Sequence, residues 1–554
     1  MDFKLRTEEN SNFASTQSLD LSAMDLDKLP SDFQALQIRV LNLSDNNLMD
    51  LPQALTHYTT LQEIDLSDNE FEAFPLVLLD CKALKEISLA NNKIHKAFDI
   101  PAHSLQHLIV LELPNNKIHQ LPESFCHLEN LQRLNIEHNP LGQIPTCIFA
   151  LKALKELDLT ATDLKSIPRH IAQLASTLQW LDLSDNQLET LPSEFGQLQQ
   201  LTFLDLSQNN INHLPASFAQ LKSLEELNLE YNPLGQVPQH ICALQQLKKL
   251  DLTQTDLVTL PIEFAQLQAL NWLDLSENQI TYLPDAFGKL KQLQWLDIRN
   301  NKLQELPFSF AQLQALEVLN AEHNPLGNLP EGICLLQQLK QLDLTATNLD
   351  KLPDHLANLK QLQWLDLSEN QIDIFPEVLS ELQQLEWLDI RHNQLLLLPE
   401  CIGKMQQLKE LHLASNLLLD VHDNIGNLQV LKRLDLSCNE LQTLPLGFKH
   451  LQQLQDLNLE RNAFDTFPRV VLYLKQLKSL DLSDNGLEEV PEEIVSLNQL
   501  TWLDLRNNAL TTLPETIAQM KDTLEELFLE GNPLSNSEKI RIKQLLPQTT
   551  IYFY

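Results

Sequence analysis

Tryptophan, aspartate and arginine recur in this sequence at one fixed spacing, as in the segment LQWLDLSENQI at residues 362–372. Each of the six tryptophans stands two residues before an aspartate, and arginine follows the aspartate after two more residues at three of these places. Aspartates at equivalent positions of successive repeats could act as acids, bases or metal ligands. Rigid indole rings among charged groups are instead typical of protein-binding surfaces.

The rest of the sequence favours binding over catalysis. It contains no GxxxxGK[ST] loop, no HExxH, no GxSxG and no Cys/His zinc spacing, and its 11 glycines leave little for phosphate-cradling loops. His95 and His119 occupy equivalent positions in neighbouring repeats, but no carboxylate or cysteine completes a metal-ligand set. We therefore expect no enzyme activity, no cofactor and no metal.

A repeat of 23 residues fixes the positions of all these side chains. Counting from Asn370 in steps of 23, with a few single-residue insertions, gives 23 units that carry asparagine at 19 places, threonine at three and methionine at one. Each unit reads L-x-x-L-x-L-x-x-N-x-L-x-x-L-P, followed by an apolar residue and a further leucine. Periods of this length indicate a stack of equivalent structural units without a single central core.

The repeated residues have distinct structural roles. The L-x-L segment predicts a short strand whose leucines point inward, because neighbouring strand residues face opposite sides. The asparagine, here called the ladder residue, is expected to pair with buried backbone groups from unit to unit. Thr162, Thr255 and Thr347 offer a hydroxyl but no amide, so we expect them to be tolerated substitutes. The proline fixes φ where the chain leaves the sheet side.

This pattern resembles the leucine-rich repeat family, and the unit type is similar to that of intracellular Ras-associated and disease-resistance-like members. The resemblance implies an α/β repeat solenoid: a curved horseshoe with a parallel β-sheet on its concave face and loops, 3-10 turns or short helices on its convex face. It implies three segments, namely an amino-terminal lead at residues 1–17, the solenoid at 18–534 and a carboxyl-terminal cap at 535–554. In the cap, Ser535 and Glu538 read as a capping box.

A larger repeat lies within the solenoid. Three tandem four-unit blocks span residues 139–416, and each begins with N-P-L-G and continues with a threonine ladder unit. By alternation, the aromatic residues six before the ladder and the charged residues four and two before it lie on the exposed concave wall. Trp272 should contact Trp295, and Trp364 should contact Trp387. The predicted partner-binding residues are Trp180, Phe203, Trp272, Trp295, Trp364, Trp387, Trp502, Asp182, Asp205, Asp274, Asp297, Asp366, Asp389, Arg299 and Arg391.

Copying of whole units and simple solubility explain the same residues without a partner. A duplicated block repeats its tryptophans whether or not they bind anything. The aspartates could accept hydrogen bonds from neighbouring side chains and keep the inner wall wet. These readings stay open beside the binding hypothesis.

The amino-acid composition indicates which kind of partner and which cellular compartment to expect. The formal net charge is −36, which disfavours nucleic acid and anionic membranes and favours a basic protein partner. The 7 cysteines are scattered, as in a reduced cytosol, and the first residues do not resemble a secretion signal. We therefore expect a cytoplasmic, non-catalytic protein-interaction scaffold in signalling or regulation, and the alternative is a cell-surface or secreted adhesion protein. A ligase-like enzyme would need a further catalytic domain.

Overall fold

The alternating leucines of each repeat form a three-residue strand. In the strand Trp364–Asp366, Leu365 is fully buried, while its two neighbours lie on the opposite face of the sheet. The structure, a computed structural model, describes residues 18–29, 38–96 and 98–554, and the predicted lead at 1–17 lies outside the described residues. The chain folds into two units, Met1–Asp256 and Leu257–Tyr554.

The first unit contains eleven described strands, and each pairs in parallel and in register with the next along the chain. These strands, β1–β11, are Ser18–Asp20, Val40–Asn42, Glu63–Asp65, Glu86–Ser88, Val110–Glu112, Arg133–Asn135, Glu156–Asp158, Trp180–Asp182, Phe203–Asp205, Glu226–Asn228 and Lys249–Asp251. The parallel sheet predicted from the repeat is confirmed in this unit.

The second unit contains fifteen described strands, of which thirteen form one parallel sheet and two form a small separate sheet. These strands, β12–β26, are Trp272–Asp274, Trp295–Asp297, Val318–Asn320, Gln341–Asp343, Trp364–Asp366, Trp387–Asp389, Leu397–Leu398, Glu410–His412, Asp420–Val421, Arg433–Asp435, Asp456–Asn458, Ser479–Asp481, Trp502–Asp504, Glu526–Phe528 and Thr550–Tyr552. The small sheet pairs β18 with β20 and was not predicted.

Short 3-10 helices form the side of each unit away from the sheet, and in most cases the proline precedes the first helical residue, as at Pro192 with φ −69°. In the first unit they are Gln53–His57, Leu76–Asp80, Glu123–His127, Thr146–Ala150, Arg169–Leu174, Ser193–Gln197, Ala216–Gln220 and Ile241–Ala243. In the second they are Ile262–Gln266, Asp285–Lys289, Phe308–Gln312, Ile333–Leu335, Asp354–Asn358, Glu377–Glu381, Glu400–Lys404, Asp423–Asn427, Leu446–His450, Arg469–Tyr473, Glu492–Ser496 and Glu515–Met520.

The asparagine ladder is present as predicted. Asn393 is 7% exposed, and its Nδ2 donates to the carbonyls of Leu367 at 2.9 Å, Ile390 at 3.2 Å and Arg391 at 3.0 Å. Its Oδ1 accepts the N–H of Ile372 in the preceding repeat at 2.9 Å. One side chain therefore supplies the acceptor of the Ile372 N–H and shares the carbonyls of two successive repeats with other donors, among them Asn370 and Asn416.

Threonine replaces asparagine at three ladder positions for a structural reason that was not predicted. In the N-P-L-G turn before Thr347, the N–H of Leu326 donates to the carbonyl of Asn324 at 2.8 Å, so it needs no ladder amide. The N–H of Gly327 then donates to the carbonyl of Thr347 at 3.0 Å, with Gly327 at φ 68°, a conformation that favours glycine. The same two bonds precede Thr162 and Thr255. The prediction that threonine is only a tolerated substitute is therefore incomplete. Threonine occurs where the preceding turn already pairs the N–H that asparagine would otherwise bind.

The carboxyl-terminal segment forms α-helix α1, Asn536–Leu545, and strand β26, which pairs with β25. The Ser535 hydroxyl accepts the N–H of Glu538 at 3.2 Å, as the capping box predicts. The other half of that prediction is wrong. The Glu538 carboxylate accepts the N–H of Leu513 at 3.0 Å, because the helix packs against the preceding repeat.

Candidate functional site

The sheet face opposite the core, here called the strand face, presents the residues six, four and two before each ladder residue. Register pairing places equivalent residues of successive repeats side by side, so Trp272 lies opposite Trp295 and Asp274 opposite Asp297. Trp364 lies opposite Trp387 in the same way. Adjacent strands are about 4.8 Å apart, which brings such side chains into direct contact.

The tryptophans of the second unit form two stacked pairs, as predicted. The ring centroids of Trp272 and Trp295 are 4.5 Å apart with an interplanar angle of 4°. Those of Trp364 and Trp387 are 4.4 Å apart with an angle of 6°. Offset parallel stacking at this distance is favourable and holds each ring in one orientation. The second unit therefore carries the same aromatic pair twice, four strands apart.

The other predicted aromatic residues make related contacts. In the first unit Trp180 stacks on Phe203, with centroids 5.0 Å apart. In the second unit Trp502 is tilted against Phe528 at 5.3 Å. Phe528 in turn stacks on Tyr552 at 4.5 Å and lies under the Arg506 guanidinium.

The six tryptophans lie on the strand face, as predicted, and all six are half-buried. In the two stacked pairs each ring covers part of its neighbour. A ring that is already ordered and partly desolvated loses little side-chain entropy when a partner covers its free side. The strand face therefore presents fixed aromatic edges rather than free rings.

The prediction that the aspartates face solvent is wrong at four of the six predicted positions. Asp182 and Asp205 are half-buried, but Asp274 and Asp366 are 8% exposed, Asp297 is 2% and Asp389 is 0%. In all six, Oδ1 accepts the backbone N–H two residues later, at 2.8–2.9 Å. The carboxylates turn back onto their own strands because this N–H has no partner in the sheet.

Burial disfavours the charged form of several of these carboxylates. Burial, assisted by the neighbouring Asp274 carboxylate, raises the pKa of Asp297 to about 7. Burial likewise raises the pKa of Asp158, Asp343 and Asp481 to about 6. The face is therefore less acidic near neutral pH than its composition suggests.

The two predicted arginines belong to the same clusters. Arg391 clamps Asp389 through two bonds to Oδ2, from Nε at 2.6 Å and from Nη2 at 2.6 Å. Arg299 makes a looser contact, with Nη1 3.6 Å from Oδ2 of Asp297. About two-fifths of each arginine side chain is exposed, at 42% and 39%. Their outer nitrogen atoms remain open to a partner.

Three residues beside the predicted site were missed. His412 packs against Trp387 with ring centroids 5.4 Å apart, and Phe528 and Tyr552 extend the aromatic file from Trp502. His412 and Phe528 stand four residues before their ladder residues, where most units have aspartate. An aromatic search at that position would have found both. Tyr552 lies beyond the last repeat, so the period gives no signal for it.

Two depressions of the strand face are small. One of about 250 Å³ beside Trp180 is lined by Arg133, Asn135, Glu156 and Asp158. Another of about 220 Å³ lies beside Trp502. Pockets that enclose small organic ligands are usually larger, at about 300–1,000 Å³. These depressions suit single side chains of a partner laid across the face.

Two further observations concern residues 18–29, 38–96 and 98–554. Within these ranges, no group of three or more His, Cys, Asp or Glu side chains is placed to hold a metal ion. None of the helices in the same ranges is long and apolar enough to cross a membrane.

Replacing Asp297 with asparagine is expected to stabilise the second unit above pH 7 by about 1–2 kcal/mol and to have little effect at pH 4. With its folded pKa raised to about 7, Asp297 binds a proton in the folded state before it does so in the unfolded chain. The contribution of Asp297 to the free energy of unfolding is therefore greatest below pH 4, where the side chain is protonated in the folded state. This contribution is lost as the pH rises to about 7 and the buried carboxylate becomes charged. Urea unfolding at pH 4, 6 and 8, followed by circular dichroism, measures the difference.

Asparagine can keep the Oδ1 bond to the N–H two residues later, as Asn320 does at the same place in the next strand. It gives up the acceptor of the Asn320 amide group, 3.2 Å from Oδ2 of Asp297, which limits the expected gain. The pH 4 arm is the internal control, since both side chains are then uncharged. A variant that is less stable than wild type at pH 8 would contradict the burial argument.

Comparisons with known proteins agree with this geometry. The family described as Leucine-rich repeat region matches residues 145–232, 269–346 and 328–423. The family described as Leucine rich repeat matches 82–141, 406–464 and 475–534, and a single Leucine Rich Repeat unit matches 223–244. No curated protein matches the chain significantly.

Solved structures extend the match to the whole fold. A leucine-rich repeat protein of Leptospira interrogans is 39% identical over 69% of this chain and 97% of that one, with a TM-score of 0.67. The plant peptide hormone receptor RGFR1, in complex with RGF2, is 27% identical over 97% of this chain and 92% of that one, with a TM-score of 0.64. The Arabidopsis receptor kinase HAESA, in complex with the peptide hormone IDA and the co-receptor SERK1, is 27% identical over 93% and 90%, with a TM-score of 0.60.

The parallel sheets, the asparagine ladder and these matches define a leucine-rich repeat solenoid. This chain belongs to the leucine-rich repeat family.

Proposed function

We propose that this protein is a non-catalytic scaffold that binds a protein partner on the strand face of its second unit. The stacked pairs Trp272–Trp295 and Trp364–Trp387 carry the proposal. Aromatic residues held rigid beside charged groups are the commonest anchors of protein interfaces. Two identical anchors on one sheet would hold an extended surface rather than a small molecule.

The second pair shows what such an anchor offers. The ring of Trp387 presents a half-exposed apolar surface, while the clamped Arg391 provides outward hydrogen-bond donors. The pairs are four strands apart, so their centres are about 19 Å from each other. A partner that reaches both gains from the second contact without further loss of overall motion.

Relatives of this fold support a protein partner. The two plant receptors, which match 97% and 93% of this chain, are in complex with peptide hormones, and one also with a co-receptor. The chain's formal net charge of −36 favours a basic partner, although the buried aspartates supply less of that charge to the strand face than expected. We propose that neither nucleic acid nor a membrane is the principal partner.

Alanine at all four residues, Trp272, Trp295, Trp364 and Trp387, is expected to reduce capture of the partner about tenfold or more, because both anchors are removed together. The measurement is affinity capture from native lysate, with bound proteins identified by mass spectrometry and the affinity of the main partner then measured. Nuclease treatment of the lysate should leave capture unchanged, and added salt should weaken it if the partner is basic.

A matched control replaces Val318 and Gln341, which occupy the same strand position between the two pairs, with alanine. Circular dichroism must show that both variants fold. Equal capture by wild type and the four-tryptophan variant would refute the proposal and leave the tryptophans as copies made when the four-unit block was duplicated.

We also propose a cytoplasmic location and a role in signalling. Cys81, Cys147, Cys242 and Cys334 are buried thiols, as structural cysteines are in a reducing compartment. Burial raises the pKa of Cys334 to about 11, so this thiol is not activated as a nucleophile. Fractionation of the source cells with an antibody to the protein tests the location, and recovery in the medium or at the cell surface would favour the adhesion alternative.

A further inference from the structure

Five exposed aliphatic side chains lie together in the second unit, away from the strand face. They surround the small sheet of β18 and β20 and are here called the apolar patch. They are Ile374, 77% exposed, Leu396, 49%, Leu397, 55%, Leu417, 45%, and Leu419, 58%. Clustered apolar surface of this kind is uncommon on a soluble protein and marks an interaction site.

The backbone brings these residues together. Leu397 pairs with Asp420 in the small sheet, and the N–H of Leu419 donates to the carbonyl of Leu396 at 2.9 Å. Ile374 occupies the position of Leu397 in the preceding repeat, 23 residues earlier. The patch therefore crosses three neighbouring repeats.

The core does not account for these side chains. Leu395, Leu398, Leu418 and Val421 are next to them in sequence and at most 1% exposed, so the inward positions are already filled. The following repeats have polar residues at the positions of Leu396 and Leu397, namely Gln442, Thr443, Asp465 and Thr466. Stability does not require leucine here.

The rim of the patch identifies its occupant. Exposed carboxylates surround the aliphatic residues, and they are Asp373, Glu377, Glu400, Asp420, Asp423 and Glu440. The nearest lysine at an equivalent position is Lys351, one repeat before Ile374. A second copy of this chain would bring two acidic rims together, which costs free energy, and an anionic lipid surface meets the same repulsion.

Dimensions favour a helix. Three repeats at about 4.8 Å place the outer side chains about 10 Å apart. A helix rises 1.5 Å per residue, so apolar residues at i, i+4 and i+7 span about the same length. Lysine or arginine on the flanks of such a helix would meet the acidic rim.

We propose that the apolar patch is a second docking site, independent of the strand face, for a basic amphipathic helix of a partner protein. The helix places aliphatic or aromatic residues on Ile374, Leu397 and Leu419 and its basic residues on the surrounding carboxylates.

The test uses a fluorescein-labelled 18-residue helical peptide of leucine and lysine, with leucines on one face, and measures its Kd by fluorescence anisotropy at physiological salt. A triple variant, Leu396→Ser, Leu397→Ser and Leu419→Ser, is expected to raise Kd about tenfold or more. All three side chains are exposed, so the variant should fold. The control Ile262→Ser with Phe308→Ser removes two apolar residues that are 68% and 79% exposed outside the patch, and it should bind as wild type does.

Two further measurements distinguish a basic helix from other partners of the apolar patch. A peptide with glutamate in place of lysine should bind about tenfold more weakly or worse if the rim recognises positive charge. The four-tryptophan variant should keep wild-type affinity for the lysine peptide, whatever the fate of the strand-face proposal. Equal Kd for wild type and the triple variant would overturn the docking site. So would equal binding of the glutamate peptide, or sedimentation showing a wild-type dimer that the triple variant abolishes, since the patch would then join copies of this chain.

Discussion

Replacing Asn393 with alanine is expected to lower the free energy of unfolding by about 2–4 kcal/mol. The substitution leaves the N–H of Ile372 without its acceptor and takes one donor from the carbonyls of Leu367, Ile390 and Arg391. These carbonyls keep a second donor each, from Asn370, Asn416 and the N–H of Glu369. Asn393 is 7% exposed, so water replaces few of these bonds. Urea unfolding followed by far-ultraviolet circular dichroism gives the change.

Thr347 supplies the matched control, because it occupies the same ladder position in another repeat. Its hydroxyl donates to the carbonyl of Leu344 at 2.6 Å and contacts Oδ1 of Asn370 at 3.2 Å. Thr347→Ala should therefore cost about 1–2 kcal/mol. Thr347→Asn should bring no gain, since Leu326 and Gly327 already have acceptors. A cost for Asn393→Ala no greater than that of Thr347→Ala would show that the amide is not the main support of the turn.

The repeat predicts most of this fold because one local pattern is read many times. Leucines with a period of two specify the strand, asparagine specifies the ladder, and proline specifies the start of the 3-10 segment. The link between N-P-L-G and the following threonine could also have been found, since each of the three threonine units follows such a turn. The sequence does not show why the two features occur together. The reason is that the N–H groups of the leucine and the glycine in this turn bind backbone carbonyls instead of a ladder amide.

The sequence predicted where the residues of the candidate site lie, but not how deeply their side chains are buried or what they bind. Equivalent positions in adjacent strands must lie side by side, so the stacking of Trp364 on Trp387 followed from spacing alone. Alternation places Asp389 on the outer face, but it does not say how far the carboxylate bends back to a backbone N–H or how much of it an arginine covers. Burial of that kind depends on neighbouring side chains from three strands, which a period cannot describe.

The small sheet of β18 and β20 was unpredictable for a related reason. The repeat N-x-L-x-x-L-P marks Leu395 and Leu398 as inward and leaves Leu396 and Leu397 outward, so their exposure could have been predicted. The pairing of Leu397 with Asp420 could not, because the runs of leucine have no alternation that indicates a strand.

Replacing Arg391 with alanine is expected to destabilise the second unit by about 2–3 kcal/mol at pH 7.5, because it leaves the Asp389 carboxylate buried without its cation. Asp389 is 0% exposed, and burial already raises its pKa while Arg391 is present. Loss of the guanidinium raises that pKa further. The cost should therefore be full above the new folded pKa and disappear at acid pH, once Asp389 is protonated in the folded state of both wild type and variant.

The double variant Asp389→Asn with Arg391→Ala separates this charge effect from lost packing, since it removes the buried charge together with its partner and should recover most of the stability. Arg299→Ala is the matched comparison at the same strand position. Its single contact with Asp297, at 3.6 Å, predicts a smaller cost than that of the two 2.6 Å bonds of Arg391. Unfolding measured from pH 4 to 8 for all three variants decides the point: a cost for Arg391→Ala that is independent of pH would mean that the arginine acts by packing along the sheet, and the clamp on Asp389 would then carry no net stabilising charge interaction.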